Sequence, residues 1–196
     1  MNFTAYVEQK KREARLANIE EVRKDIKAPW VQEKISNHIA AFDGIMTREE
    51  IEEGILNNII IASKFCKDPG KQNISEKLAA EVLGLNKLPA SGKNCIRFND
   101  SGDIVSNSAG STKSADFKIN DYYVTQKYTN EEGGAQDNQR NDVIDFLKKG
   151  SLKHKVAALV DGSYWDKHIS DLYTEFKNNP NVWITSVTEI TENKNI

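Results

Sequence analysis

At 196 residues the chain is long enough to bury a core as one domain, or as a core with a small helical subdomain, and its apolar segments are too regularly spaced for a disordered polymer. A formal charge of −2 gives no global pull toward nucleic acid, so any phosphate contact has to be built from local patches. Cys66 and Cys95 stand in unrelated contexts, which excludes a CxxC-type zinc site, and the absence of a long apolar run or an apolar leader region excludes a membrane span and leads us to expect a soluble, intracellular protein.

In chain order, residues 2–26 predict a charged helix with Phe3, Tyr6, Val7, Ala14, Leu16, Ile19, Val22 and Ile26 on its apolar stripe. Its Lys10, Lys11, Arg12 and Arg15 form a solvated face or touch phosphates. Lys27-Ala28-Pro29 ends it, and a second helix is expected over 30–42, stopped by Asp43-Gly44. Thr47 with Glu50 makes a capping box for a third helix that carries Ile51, Ile55 and the dense run Ile59-Ile60-Ile61-Ala62, which reads as a central helix or an interface. Residues 1–72 are thus an N-terminal helical subdomain, suited to packing and dimerisation, and 73–196 the core, the two making one compact unit.

A short helix is expected from Asn73 or Ser75 to Leu83, stopped by Gly84, with Leu78 and Val82 inward and Glu81 beside them. The loop 88–94 looks superficially like a phosphate loop, but it lacks the first glycine of GxxxxGK[ST], so no nucleotide cofactor is expected. Two short strands follow over 95–98 and 103–105, then a polar loop, 106–112. Phe117–Ile119 and 122–129 read as a hairpin around the turn Asn120-Asp121. Past Glu131-Glu132-Gly133-Gly134, a helix with Gln136, Gln139, Val143, Phe146 and Leu147 on one face is closed by Gly150. The continuous apolar run 156–160 reads as a central strand buried on both faces, with Asp161 at its polar end. A polar corner at 161–165, a helix over 166–177, a strand over 182–187 and a polar tail complete the chain.

The hairpin carries the chemistry. Side chains alternate along a strand, so Thr125 and Lys127 share a face, and Asp116 at the start of the first strand faces Lys127 near the end of the second. An Asp followed nine or ten residues later by x-x-Lys on the next strand, then a glycine step, a polar-faced helix, a buried strand, a helix and a last strand, resembles the PD-(D/E)xK nuclease core of type II restriction endonucleases. The likeness spans about residues 75–187. It implies an α/β (α+β) fold with a central mixed β-sheet flanked by helices, and a bacterial, cytoplasmic, homodimeric enzyme that cuts double-stranded DNA with Mg2+. Two positions depart from the family: Ala115 replaces its proline, and Thr125 replaces its second acid. A threonine hydroxyl is a poor ligand for a hard divalent cation.

The resemblance implies that Asp116 binds the metal, that the backbone carbonyl of Gln126 adds a ligand, and that Lys127 stabilises the attacking water or developing charge. Thr125 takes part through its hydroxyl or a water. Gln139 orients a water or phosphate, or is a buried amide bonded within the fold. Glu81 supplies the missing acid, or is an ordinary helix glutamate. Ser91, Lys93, Asn94, Lys113, Gln136, Asn138 and Arg140 lie in segments whose composition suits base and phosphate contacts. Lys148, Lys149, Lys153 and Lys155 form a basic patch or a solvated surface. Against the nuclease site stands a plain cross-strand ion pair between Asp116 and Lys127, worth about 0–1 kcal/mol if exposed. An inactive DNA-binding or protein-binding member of the same fold and a structure-specific repair nuclease are the competing functions. His38, His154 and His168 are isolated from one another, and no nucleophile-elbow sequence supports a serine hydrolase.

Overall fold

The computed structural model describes residues 1–42, 44–106, 109–130 and 134–193; Asp43, Asn107, Ser108 and the Glu131-Glu132-Gly133 step lie outside the described residues. It is a mixed α/β protein with eight α-helices, a four-stranded mixed sheet and a two-stranded sheet among the described residues. The chain divides into two compact units, Val7–Ile74 and Met1–Tyr6 with Ser75–Ile196. No described helix is long and apolar enough to cross a membrane.

The helical unit holds most of α1 (Phe3–Lys24), then α2 (Pro29–Ala41), α3 (Arg48–Asn57) and α4 (Ile59–Phe65). Pro29 opens α2 at a position where its missing N–H costs nothing. Ile19, Val22, Val31, Ile35, Ile51, Ile55 and Phe65 form the core. The capping box forms as read: the Glu50 carboxylate accepts the Thr47 N–H at 2.7 Å, and the Thr47 hydroxyl oxygen accepts the Glu50 N–H at 3.2 Å. The single helix expected from there through Ala62 breaks at Asn58. The Asn58 side chain accepts the Ile60 N–H at 2.9 Å and so starts α4 afresh. Of the isoleucine run, Ile59 and Ile60 are exposed and only Ala62 is fully buried, so the stretch is not apolar for want of water contact.

The second unit begins with α5 (Ile74–Leu83), stopped by Gly84 at φ +65°. The expected strand pair at 95–105 shrinks to β1 (Arg97–Phe98) and β2 (Ile104–Val105), joined antiparallel. The main sheet has the order β3 (Phe117–Ile119), β4 (Tyr122–Tyr128), β5 (Lys155–Asp161), β6 (Val182–Thr185). β3 and β4 are the antiparallel hairpin, with Asn120 of the turn at φ +50°, and β4, β5 and β6 run parallel. Parallel neighbours need crossovers, supplied by α6 (Gly134–Gly150) and α7 (Ser163–Phe176). Val143, Phe146, Leu147, Val156, Ala158, Val160, Trp165 and Leu172 make this core.

Three local readings are corrected. Gly150 is the last residue of α6 and is not a left-handed stop; a Cβ there would lie 2.5 Å from Val156 Cγ1 and 2.7 Å from the Phe98 ring, so glycine is required by close approach. Gly150→Ala should therefore cost about 1–3 kcal/mol, as overpacking does, read as a fall in denaturant midpoint at unchanged m-value. Residues 163–165 belong to α7, which starts behind Gly162 at φ +105° and buries Tyr164 and Trp165. The last strand, expected over 182–187, stops at Thr185, and its final residue with the tail folds as α8 (Val187–Glu192), begun by a second capping box in which Ser186 Oγ accepts the Glu189 N–H at 3.0 Å. The N-terminus ties to this end of the unit: Phe3 N–H donates to Thr188 Oγ1 at 3.1 Å, and Tyr128 donates its phenol proton to the Thr4 carbonyl at 3.5 Å.

Candidate functional site

Asp116 sits one residue before β3. Its N–H donates to the Val124 carbonyl and its carbonyl accepts the Leu88 N–H, both at 2.8 Å, so its backbone extends the ladder on both sides. That fixes the side chain over β4. Asp116 Oδ2 accepts the Gln126 backbone N–H at 2.7 Å, which places a carboxylate oxygen where the next backbone carbonyl of β3 would stand. Thr125 donates its hydroxyl to the same oxygen at a long 3.4 Å, and Lys127 Nζ lies 4.0 Å away. The side chains of Asp116 and Lys127 are 18% and 23% exposed, enough for a ligand to reach and too little for water to screen fully.

Burial pushes the Asp116 carboxyl above the ordinary carboxylate range; the Lys127 charge and the Gln126 N–H pull it back, and the charge of Glu76 pushes it up again. Glu76, on the first turn of α5, is therefore the nearby acid that acts on Asp116. It is ion-paired with Lys87 at 2.7 Å, and Lys87 bridges Phe117, the residue after Asp116. Glu81, expected from the sequence to supply the second acid, is exposed and is not among the main charges acting on Asp116. The helix turns its other glutamate inward.

Gln126 contributes backbone only. In a strand the N–H and C=O of one residue point to the same edge, so its carbonyl lies on the Asp116 side. Its side chain points to the opposite face, is buried, and leaves Nε2 without a hydrogen-bond partner. Thr125 is 2% exposed and acts as a donor to Asp116. Gln139 is held by the fold: its Oε1 accepts the Thr129 hydroxyl proton at 2.9 Å, tying α6 to the residue just past β4. Thr129 is in turn fixed by its N–H to the Asp161 carbonyl at 3.0 Å and by the Tyr164 N–H at 3.1 Å. Gln139 thus stands two residues past Lys127 along the strand, bonded to a side chain of the fold.

The other residues expected at DNA divide. Ser91, Lys93, Asn94, Lys113 and Asn138 are exposed and Gln136 is half-buried, and the side-chain partners of Asp116 are Thr125, Gln126 and Lys127 instead. Arg140 is turned to α7, where its Nη2 lies 3.4 Å from Asp171 Oδ2, so its charge is already partnered. The basic patch is neutralised lysine by lysine: Lys148 pairs with Glu175 at 2.6 Å, Lys149 with Asp100 and Asp145 at 3.0 Å, Lys153 with Asp103 at 2.5 Å and Lys155 with Asp121 at 3.7 Å. It is a solvated surface of ion pairs, each worth little.

Asp161 carries a signal the sequence reading left unused. Its side chain accepts the Val187 N–H at 3.1 Å at the start of α8, and burial raises its carboxyl to about 6 despite that bond. A carboxylate ending a wholly apolar strand was the available clue.

No protein-family model, curated protein or solved structure matches the chain. Fold and site alone therefore define its class: a mixed α/β protein with a half-buried carboxylate and a lysine facing each other across one hairpin, and a second carboxylate within electrostatic reach. No cluster of three or more His, Cys, Asp or Glu side chains stands together among the described residues, so a divalent cation here would rest on two carboxylates and backbone oxygen.

Proposed function

We infer that the chain is a Mg2+-dependent endonuclease acting on double-stranded DNA, of the restriction-endonuclease type. The observation that carries this reading is the Asp116 carboxylate, half-buried, raised in proton affinity and 4.0 Å from Lys127, with Glu76 within electrostatic reach. The order hairpin, helix, parallel strand, helix, parallel strand supports it, as that is the order the family resemblance implies. The donor set suits a hard cation: two oxygen-bearing side chains close enough to repel each other as anions, and no sulfur or imidazole. Asp116 and Glu76 would hold the ion with the Gln126 carbonyl. When bound, magnesium supplies polarisation of the scissile phosphate and a water of lowered pKa. Lys127 donates to the attacking oxygen or to the developing charge on the phosphate, and Thr125 keeps Asp116 oriented through its hydroxyl.

Plasmid or phage DNA incubated with the purified chain should give discrete fragments with magnesium and none with chelator. Asp116→Ala and Lys127→Ala should each lower the rate by about a hundredfold or more. Intact DNA with the native chain, and still intact DNA with Thr125→Glu, would overturn the reading. One observation favours a second: with Thr125 in the acid position and Lys87 on Glu76, the site has the makings of a binding-only member of the fold. Duplex binding that survives Lys127→Ala, without cleavage, selects it.

A further inference from the structure

A second cation-rich site lies wholly within the helical unit. A cavity of about 560 Å³ is lined by Arg15 of α1, Lys34 of α2, Lys64 of α4, and Lys67 and Lys71 of the loop that follows. Asp68 is the sole carboxylate of the lining, and its Oδ1 already accepts the Gly70 N–H at 2.9 Å. Five cations to one anion in a concavity concentrate positive potential in a chain whose overall charge is −2. This is the reverse of the basic surface on the other unit. Among the described residues, Lys67 alone of the five has a carboxylate partner, Glu21 at 2.6 Å.

The loop that presents these charges is fixed without a ligand. Lys34 Nζ donates to the Phe65 and Cys66 carbonyls at 3.1 and 2.6 Å, closing the end of α4. Buried Asn18 donates from Nδ2 to the Lys67 carbonyl at 2.9 Å and to Gln72 Oε1 at 3.2 Å, and Pro69 is buried. A preformed pocket avoids the ordering cost that a mobile loop would impose on binding. Its volume lies in the range of small-ligand sites. Ammonium and guanidinium side chains lining one concavity from three helices and a loop match a compact anion with several oxygens spread in space. A carboxylate offers only two oxygens and one charge, whereas phosphoryl groups offer more of both.

We propose that this cavity binds phosphoryl groups, presented by a free phosphorylated ligand or by a nucleic-acid backbone. The proposal is independent of the nuclease reading, because it concerns binding alone and residues of the other unit take no part. Inorganic tripolyphosphate titrated calorimetrically into the full chain should bind, and Lys64→Glu with Lys71→Glu should weaken it tenfold or more. Both side chains are exposed, so the fold should be kept, which circular dichroism checks. Lys24→Glu with Lys177→Glu carries the same net charge at other exposed sites and should change binding less than twofold. Arg15→Gln is the milder second variant and should weaken binding severalfold. Lys34 and Lys67 stand 5.5 and 5.1 Å from the Trp30 ring centre, so binding should also shift tryptophan emission. A short DNA duplex in magnesium-free buffer separates the sources: parallel loss of duplex binding in the Lys64→Glu, Lys71→Glu variant assigns the phosphates to nucleic acid, and retained duplex binding assigns them to a free ligand. A native chain that binds neither probe, or equal weakening in the control variant, would overturn the proposal.

Discussion

Glu76→Gln should lower magnesium-dependent DNA cleavage by about a hundredfold or more, while Glu81→Gln leaves it within about twofold. The two glutamates share α5, yet only Glu76 is among the charges acting on Asp116, and it is held there by Lys87. The change to glutamine keeps the shape and removes the charge. A carboxylate that sits near Asp116 raises its proton affinity, so the substitution should also move the Asp116 carboxyl downward in pH, a shift measurable by the carboxyl carbon resonance without any substrate. Cleavage lost with an unmoved Asp116 titration would mean that Glu76 acts by holding Lys87 and not through the carboxylate pair. Cleavage equally sensitive to Glu81→Gln would restore the sequence reading.

The second large effect concerns stability. Asp161 is 4% exposed and keeps its proton to about pH 6 in the fold, against 3.8 for an ordinary aspartate. Below pH 3.8 it is neutral folded and unfolded, and it costs nothing electrostatically. As pH rises through that value the unfolded chain ionises first, so the folded state loses stability until the folded carboxyl also ionises near pH 6. The full loss is about 3 kcal/mol. Asp161→Asn cannot ionise and keeps an oxygen for the Val187 N–H. Its stability relative to the native chain should therefore climb by about 2–2.5 kcal/mol between pH 4 and pH 7, followed by denaturant melts at each pH. A difference that stays flat across that window would mean the buried carboxylate is solvated by groups this geometry does not bring to it.

Much of the site's frame was legible because it rests on short-range rules. A period of two in residues 122–128, an Asn-Asp turn and a 3.6-residue pattern after Gly134 bring Lys127 within 4.0 Å of Asp116 and lay a helix across the sheet. The choice between Glu76 and Glu81 was not legible. A stripe through Leu78 and Val82 places Glu81 beside it, whereas the residues actually buried are Leu78 and Ala79, and at 100° per residue both glutamates lie about 110° from the middle of that pair, on opposite sides. Only the tertiary approach of Lys87 to Phe117 breaks the tie. Arg140 was likewise read as a free donor because Asp171 is a partner from a distant helix. The break at Asn58 hid behind an apolar run that reads as one helix, and the Ser186-x-x-Glu189 box was present in the sequence but straddled the boundary between the expected last strand, 182–187, and the tail.

The carboxylate of Asp116 completes the sheet's hydrogen bonding at Gln126, so one backbone amide is bonded to an ionisable group. That amide is a built-in spectroscopic probe. Its proton resonance should shift downfield as Asp116 ionises and shift again when a cation displaces it from Oδ2, giving the site a label-free signal for both proton and metal. The same geometry makes Asp116→Asn and Asp116→Ala different experiments: asparagine can still accept from the amide and keep the strand edge closed, whereas alanine opens the amide to solvent exchange as well as removing the ligand.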